Sequence, residues 1–316
     1  MQPLTICFGC DVNYIPHLAV AMLSLLDRTA ARPMRFFVFQ REFDQATRSA
    51  FAAMLAPWPH CRLDWVDVHR ADLAAFKAEG HLTVATYFRI FIPELLPAEF
   101  ERAIYLDSDI VVTGDIAGLW DVDLRGHPIG AVVDPLRTDA DRHDRFTKLG
   151  LPRDAAYFNG GVLVLDLKLW RERNLTSRLA EFAIANPHRL TWADQDVLNA
   201  LLHDDHRALP LEWNLQRRMC HMLPRELGLS IPEYLGLRRA PKIVHFTEAL
   251  KPWNYRDGHP FAHVYFRYLK RTPFRATVER NWQLSFATTL GRWLRRLKNW
   301  LKVQPPALRW RERRAG

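Results

Sequence analysis

The sequence contains little cysteine and no long apolar run. Four cysteines in 316 residues are too few for a disulfide-based scaffold and are typical of a protein from a reducing compartment. No run of 18 apolar residues indicates a membrane-spanning helix, and the first residues lack the charged, apolar and small-residue regions of a signal peptide. We therefore expect a cytoplasmic protein, or one on a membrane face in contact with the cytoplasm.

Cys7 and Cys10 form the single CxxC motif of the chain. A zinc site of this type needs a second pair of ligands, and no second cysteine pair is present. Both residues also lie in or next to an apolar segment that is predicted to form the first strand. The pattern therefore favours packing cysteines over a zinc or redox site.

The excess of positive over negative charge lies almost entirely in the C-terminal segment. The net charge is +9, and residues 287–316 contain nine lysines and arginines and one acid, Glu312, so nine minus one, or +8, lies in this segment. The remaining chain is close to neutral. A nucleic-acid-binding enzyme would carry basic surface around its active site, so we expect no nucleic-acid partner.

Short apolar segments alternate with amphipathic segments along the first half of the chain, which predicts an α/β fold with a mostly parallel central sheet. The predicted strands are 4–8, 34–39, 63–68, 103–106, 129–133 and 161–165, and a further apolar run, 110–112, follows Asp109. Predicted helices cover 14–26 and 85–96, and another follows the N-cap candidate Asp44. Residues 137–151 are polar without clear periodicity, and we interpret them as a surface loop or lid. In such sheets ligands bind at the carboxyl ends of the strands.

Asp107 and Asp109 follow directly after the clearest predicted strand. Two carboxylates delivered to the edge of a buried sheet need a cation or firm hydrogen bonds to offset their desolvation, and magnesium or manganese prefers such oxygen ligands. By residue type alone, a capped turn remains an alternative, as does the nucleophile of a haloacid-dehalogenase-like phosphatase, although that motif normally begins its domain. Three further Asp-x-Asp pairs, beginning at Asp121, Asp139 and Asp194, are interpreted as turns or solvated faces.

Six motifs with polar residues at strand ends and turns are distributed along the chain. They are Phe8-Gly-Cys-Asp-Val-Asn-Tyr14, His81 with Thr86-Tyr-Phe-Arg89, Tyr105-Leu-Asp-Ser-Asp109, Tyr157-Phe-Asn-Gly-Gly-Val162, Asp194-Gln-Asp196, and His245 with Lys251-Pro-Trp253. In this order the chain resembles glycosyltransferase family 8, and within it bacterial lipopolysaccharide and lipooligosaccharide galactosyl- and glucosyltransferases, over about residues 4–275. The resemblance implies a GT-A fold, which is a Rossmann-like nucleotide-sugar-binding domain, a UDP-hexose donor, a glycolipid or oligosaccharide acceptor, and retention of anomeric configuration.

The resemblance also implies roles for individual residues. Manganese, or magnesium, would be held by Asp107, Asp109 and His245. Uracil and ribose would contact Asp11, Asn13 and Tyr14. The acceptor would lie near Asp134, and the diphosphate and donor hexose would contact His81, Arg89, Ser108, Asn159, Gly160, Asp194, Gln195 and Lys251. Without the resemblance, the same residues fit helix caps, surface groups, a core tyrosine and an ordinary loop.

Gln195 matches the position beneath the anomeric carbon of the donor, and a neutral amide is a poor nucleophile. We therefore expect front-face attack, with the metal and Lys251 stabilising the leaving UDP, and a covalent sugar adduct on Asp194 or Asp196 would contradict this. Glu248 replaces the glycine of similar enzymes three residues after the metal histidine, and its carboxylate would repel the diphosphate unless turned away. A catalytically inactive glycan-binding relative is a further alternative.

Residues 276–316 are predicted to form a tail separate from a transferase domain at 1–275. From Phe286, apolar residues recur at spacings of three and four, and basic residues fill the other face up to Lys302. A basic amphipathic helix with tryptophans is typical of an interfacial anchor on anionic lipid, so we expect peripheral attachment to the cytoplasmic face of the bacterial inner membrane. The alternative is a terminal helix docked on the domain with its basic face in solvent.

Overall fold

The computed structural model describes residues 3–29, 32–69, 71–76, 83–136, 138–248, 251–254 and 259–279. His81 and residues 280–316, which include the predicted amphipathic helix, lie outside these ranges. The strands are β1 Leu4–Gly9, β2 Met34–Gln40, β3 Cys61–Asp67, β4 Arg102–Asp107, β5 Ile110–Val112, β6 Ile129–Val133, β7 Phe158–Asp166, β8 His206–Ala208, β9 Leu215–Gln216 and β10 Ile243–His245. The α-helices are α1 Ile15–Arg28, α2 Gln45–Leu55, α3 Phe88–Leu95, α4 Ala117–Trp120, α5 Asp139–Leu149, α6 Leu167–Glu172, α7 Leu175–Ala185, α8 Ala193–Leu202, α9 Ile231–Arg239, α10 Ala262–Leu269 and α11 Arg275–Glu279.

A seven-stranded sheet forms the centre of the described chain, in the order β3-β2-β1-β4-β7-β6-β8. The pairs β3–β2, β2–β1, β1–β4 and β6–β8 are parallel, whereas β7 is antiparallel to both of its neighbours. The predicted α/β fold with a mostly parallel sheet is therefore confirmed. A smaller sheet has the order β5-β10-β9, and within it His245 pairs with Ile110. This pairing brings a residue from late in the chain next to the end of β4.

Hydrophobic cores cover both faces of the large sheet, because successive side chains of a strand point to opposite faces. In β1, Leu4, Ile6 and Phe8 belong to the core that contains α1 and the small sheet, whereas Cys7 belongs to the core that contains α3, α7 and α8. Cys7 and Cys10 are both buried and free of any disulfide. Burial raises the pKa of each thiol well above its ordinary value, which suits packing residues better than reactive ones.

Helix α5 occupies the segment 139–149, so the prediction of a loop over 137–151 is wrong there. The Thr138 hydroxyl accepts a hydrogen bond from the Asp141 N–H at 3.0 Å, and the helix ends at Gly150, whose φ of 70° is left-handed. These are ordinary signals for a helix start and stop. Only Phe146 and Leu149 of the helix are buried, so its apolar periodicity is too weak to indicate a helix.

Asp194 and Asp196 lie in the first turn of α8 and are 3% and 0% exposed. The interpretation of this pair as a turn or solvated face is therefore wrong, whereas Asp121 and Asp123 are exposed as predicted. Helix α8 packs with its first turn toward the interior, where the two carboxylates find partners described below. Among the described helices, none has the length and apolar character that a membrane crossing requires.

Candidate active site

A cleft at the carboxyl ends of β1 and β4 is lined by most of the predicted site residues. They are Asp11, Tyr14, Arg89, Asp107, Ser108, Asp109, Asp134, Asn159, Asp194, Gln195, His245 and Lys251. Asn13 is exposed outside the lining, and Gly160 is buried next to Asn159. His81 lies outside the described residues. The tertiary structure thus brings together residues that are separated by as much as 240 positions.

Asp107, Asp109 and His245 form a compact group in which one ligand atom of each lies within 4.8 Å of the others. His245 Nε2 is 3.1 Å from Asp109 Oδ1 and 3.6 Å from Asp107 Oδ2. The backbone explains this arrangement, because β4 ends at Asp107 and the N–H of Phe246 donates to the Asp109 carbonyl at 2.9 Å. The small sheet therefore carries the imidazole to the two carboxylates.

The space beside this group is kept open by Gly161. A β-carbon at that position would lie 2.2 Å from His245 Cε1 and 2.5 Å from Asp107 Oδ2. Two carboxylates and one imidazole with an open side are a suitable donor set for a divalent cation, with room for further oxygen ligands. The residues present therefore fit a divalent metal, and their chemistry does not choose between manganese and magnesium.

Two cations offset the negative charge of this group. Lys251 Nζ contacts Asp109 Oδ2 and donates to the Phe246 carbonyl at 2.7 Å. Burial alone would raise the pKa of Asp109, but Lys251 and His245 outweigh it and hold this pKa well below its ordinary value. On the other side, Arg89 lies 2.9 Å from Asp107 Oδ1. Each of the two carboxylates therefore has a cationic side chain beside it.

Two side chains, Tyr105 and Arg89, contact the same oxygen of Asp107. The Tyr105 hydroxyl donates to Asp107 Oδ1 at 2.9 Å, and Arg89 contacts the same oxygen, while Oδ2 faces His245. A phosphatase nucleophile would need an oxygen directed at an incoming phosphorus atom. Oδ1 of Asp107 does not have that freedom, because Tyr105 and Arg89 both contact it.

Arg89 also connects the metal candidate group to Asp194. Its Nε lies 2.8 Å from Asp194 Oδ2, although its N–H is directed at the Thr86 carbonyl, so the contact is an ion pair without an aligned hydrogen bond. Burial raises the pKa of Asp194 to about 7; Arg89 opposes this rise and Asp107 adds to it.

Asn159, Gln195 and Asp134 form a hydrogen-bonded cluster that also lines the cleft. The Gly160 N–H donates to Gln195 Oε1 at 3.0 Å, which identifies that atom as the carbonyl oxygen. Gln195 Nε2 then donates to Asp134 Oδ2 at 3.0 Å, and Asn159 Nδ2 lies 3.1 Å from both Gln195 Oε1 and Asp134 Oδ2. The amide groups are thus held in one orientation by the backbone.

Asp196 is withdrawn from the cleft. Its Oδ1 accepts from the Tyr157 hydroxyl at 2.6 Å and from Arg145 at 3.0 Å, and its Oδ2 accepts from the backbone N–H groups of Thr191 and Trp192 at 2.6 Å each. The side chain is fully buried. A carboxylate with four donors and no exposure is a structural anchor, and here it connects α5 to the start of α8.

The residues after β1 form a turn cap and also line the cleft, so both interpretations of Asp11 and Tyr14 apply. Asp11 caps a 3-10 turn, since the Asn13 N–H donates to its Oδ1 at 2.8 Å, and the Thr83 hydroxyl donates to its Oδ2 at 2.9 Å. Tyr14 lines the cleft and packs edge-on against His17 and Trp253. The cap is therefore present, and both Asp11 and Tyr14 also face the cleft.

Ser108 and Glu248 complete the described lining near the metal candidate group. The Ser108 hydroxyl donates to the Gly9 carbonyl at 3.2 Å, which holds the loop between β4 and β5 against β1. Glu248 has a left-handed φ of 71° and lies 3.2 Å from Arg217, so its carboxylate is engaged by a cation. This pairing reduces the repulsion that a free carboxylate would exert on a diphosphate.

Asn214 is a buried polar residue of the site that sequence reasoning missed. It is fully buried at the end of a 3-10 turn before β9, and its amide lies between His245 and Asn159. In the sequence, Asn214 and Gln216 are polar residues beside the apolar Trp213 and Leu215, with charged residues close on both sides. An uncharged residue with no motif of its own gives no chemical indication of this position.

Comparisons with known proteins bear on the fold and the family of this chain. The model of glycosyl transferase family 8 matches residues 5–257. General stress protein A of Bacillus subtilis is 32% identical over 270 residues, which cover 83% of this chain and 91% of that protein. Lipopolysaccharide 1,2-glucosyltransferase of Escherichia coli is 26% identical over 275 residues, or 86% and 79% of the two chains. The crystal structure of the galactosyltransferase LgtC with donor and acceptor sugar analogs superposes with a TM-score of 0.75 at 25% identity, covering 86% of this chain and 99% of that chain.

Proposed function

Because this chain belongs to glycosyl transferase family 8, we propose that it transfers a hexose, galactose or glucose, from a UDP-sugar to a lipopolysaccharide or lipooligosaccharide core or a similar glycan. Family membership makes it a glycosyltransferase with a nucleotide-sugar donor and a glycan acceptor. The names of two relatives, a lipopolysaccharide glucosyltransferase and a galactosyltransferase, support the choice of hexose and acceptor. The observation that carries the proposal is the meeting of Asp107, Asp109 and His245 beside an amide cluster in one cleft.

The proposed donor site divides into three parts. Asp11 and Tyr14 offer a carboxylate and an aromatic face for the ribose and the base, with Asn13 as a further contact. Ser108 and His81 are assigned to the diphosphate and the donor sugar, as the family resemblance implies. A divalent cation, manganese or magnesium, bound by the two aspartates and His245 would neutralise the charge of the diphosphate. The hexose would then lie against Arg89, Asn159, Gly160, Asp194 and Gln195.

The reaction is proposed to proceed by front-face attack with retention. Lys251 would stabilise the negative charge on the departing UDP, and the proton of the acceptor hydroxyl would pass to an oxygen of that leaving group. Gln195 would stabilise the positive charge at the anomeric carbon through its carbonyl dipole. Asp134, which already accepts from Gln195, would face the acceptor. A covalent route is disfavoured because Asp196 is filled by four donors and Asp194 is paired with Arg89.

The test is UDP release from a panel of UDP-sugars with manganese, with and without a bacterial lipid-core acceptor. Asp109→Asn should abolish release, because it removes a charged ligand, whereas Asp123→Asn at the exposed pair should leave release unchanged. Nuclear magnetic resonance of the product would report its anomeric configuration. The proposal fails if no UDP-hexose supports release, and the mechanism fails if a sugar adduct is trapped on Asp194 or Asp196.

We also propose that residues 276–316 attach the enzyme to anionic lipid at the cytoplasmic face of the bacterial inner membrane. The support is the basic amphipathic pattern of the segment and an acceptor that is itself lipid-linked. Sedimentation with vesicles that contain anionic lipid should fall when Arg295, Arg296 and Lys298 are replaced by glutamine. Equal sedimentation of the variant would support a helix docked on the domain instead.

A further inference from the structure

Asn214 lies between the two halves of the candidate site. Its Oδ1 is 3.0 Å from His245 Nδ1, and its Nδ2 donates to Asn159 Oδ1 at 2.9 Å. These contacts are buried, because Asn214 is fully buried and the other two residues are at most 5% exposed. Hydrogen bonds in such a setting have to be satisfied internally.

The orientation of this chain of side chains follows from one backbone group. The Gly161 N–H, which can only donate, lies 3.0 Å from the amide atom of Asn159 that also faces Asn214. That atom of Asn159 is therefore the carbonyl oxygen. The atom of Asn214 that faces it has to be the NH₂ group, so the oxygen of Asn214 faces His245. An oxygen at this place requires a hydrogen on His245 Nδ1.

Asn214 therefore fixes the tautomer of His245 through Nδ1, the ring nitrogen that does not face Asp107 and Asp109. With the hydrogen on Nδ1, the lone pair of the neutral ring lies on Nε2, which is the atom directed at Asp107 and Asp109. A histidine that binds a metal through Nε2 requires the lone pair on that atom, and the hydrogen-bond partner of Nδ1 normally fixes it there. Asn214 supplies that partner.

The same residue orients the amide that faces the proposed sugar. Because Asn159 Oδ1 is held by Asn214 and Gly161, its Nδ2 is directed at Asp134 and Gln195. A single buried amide thus determines the direction of one metal-ligand candidate and of one donor-contact candidate.

We propose that Asn214 is a positioning residue that couples the metal site to the sugar site, fixing the metal-binding tautomer of His245 with one amide atom and the orientation of Asn159 with the other. This inference rests on the proposed function, in which His245 binds a divalent cation. The two atoms of the amide do different things, so two substitutions can separate them.

Asn214→Leu removes both contacts at nearly constant volume, and Asn214→Asp keeps an oxygen for His245 but places a second oxygen against Asn159 Oδ1. Manganese binding, measured from the electron paramagnetic resonance signal of the free ion in the presence of UDP, should weaken about 10- to 100-fold in the leucine variant. In the aspartate variant it should stay within about threefold of wild type, because a carboxylate behind a metal-binding histidine is also a suitable partner. Transfer from the UDP-hexose should nevertheless fall about tenfold or more in the aspartate variant, through a lower kcat or a higher KM for the donor.

Asn199→Leu is the matched control. Asn199 is also a fully buried amide with several hydrogen bonds, to the backbone of Phe158 and Gln195, but none of them is made to His245 or Asn214. It should lower the thermal midpoint and leave manganese affinity unchanged. A general loss of packing would instead weaken manganese binding in both leucine variants, and that result would overturn the inference.

The outcomes separate this inference from the proposed function. Wild-type protein that binds no manganese with UDP would refute the metal site itself. Wild-type affinity in folded Asn214→Leu, or weakened manganese affinity in folded Asn214→Asp, would overturn the role of Asn214 alone. If the leucine variant does not fold, the aspartate variant decides, since retained manganese affinity with reduced transfer supports the role and any other pattern opposes it.

Discussion

Replacing Gly161 by alanine tests the open space beside the metal candidate group most directly. The backbone of Gly161 is not in the left-handed region, so its conformation is one that alanine can adopt. The added β-carbon would, however, lie 2.2 Å from His245 Cε1 and 2.5 Å from Asp107 Oδ2. Neither neighbour is free to move, because His245 is held by Asn214 and Asp107 by Tyr105.

The size of the effect follows from these distances. Ordinary carbon contacts begin at about 3.5 Å, so the His245 ring would have to move by roughly 1.3 Å. A misplacement of about 1 Å in a catalytic arrangement can lower the rate about 100-fold, and overpacking of a core costs about 1–3 kcal/mol. We therefore expect Gly161→Ala to lower manganese affinity and to reduce UDP release by about two orders of magnitude, with a modest loss of stability.

The assay combines a manganese titration by electron paramagnetic resonance with UDP release under saturating donor. Gly160→Ala is the control for the titration, because its β-carbon would approach Arg89 at 3.1 Å and Asp194 at 3.7 Å, and its three nearest neighbours include none of the three metal-ligand candidates. Manganese affinity should remain normal in that variant. If folded Gly161→Ala binds manganese and releases UDP as wild type does, the reasoning from the geometry of this site is wrong.

Two further predictions concern buried groups around the cleft. Burial lowers the pKa of His17 to about 3, while Asp109 raises it slightly and Lys251 lowers it further. Between pH 6.5 and 3 the unfolded state therefore binds a proton at this histidine that the folded state does not. The contribution of His17 to the free energy of unfolding is fully present above pH 6.5 and falls as the pH is lowered. Chemical denaturation should show that the free energy of unfolding falls by about 2–3 kcal/mol between pH 6.5 and 4.5 because of this group. An equal fall in the His17→Gln variant would contradict the assignment to His17. Arg145→Met should destabilise the fold by about 3 kcal/mol, because it leaves the buried Asp196 without its cation, and should raise KM for the acceptor because α5 lines the cleft. The control is Lys148→Met on the same helix, which breaks an exposed ion pair with Asp144 and should change stability by less than about 0.5 kcal/mol. Equal destabilisation by the two variants would show that the loss of the Arg145–Asp196 ion pair is not its cause.

The sequence predicted the parts of the fold in which local pattern and tertiary environment agree. Strand β4 is a short apolar run that ends at Asp107, with Asp109 two residues later. A run of that kind is buried in any α/β sheet, so both the strand and the carboxylates at its end could be identified. Helix α5 could not be recognised by periodicity, because only Phe146 and Leu149 are buried on it. Its cap residues alone carried the information.

Partners that are distant in the chain could not be predicted from residue type. Asp196 was interpreted as solvated with its pair, since nothing near it in the sequence indicates that Arg145 and Tyr157 surround it. Asn214 has no charge and no motif, and its importance arises only because β9 and β10 place it behind His245. Glu248 could be recognised as unusual, but only the folded chain supplies Arg217 as its partner.

The sequence by itself determined the fold class, the family and the chemical types that meet in the cleft, because apolar periodicity and motif order are properties of the chain. Only the tertiary structure decided which atoms of those residues face one another. The tautomer of His245, the direction of the Asn159 amide and the withdrawal of Asp196 all depend on contacts between segments far apart in the chain, and hydrogen-bond direction is set by those contacts rather than by residue type.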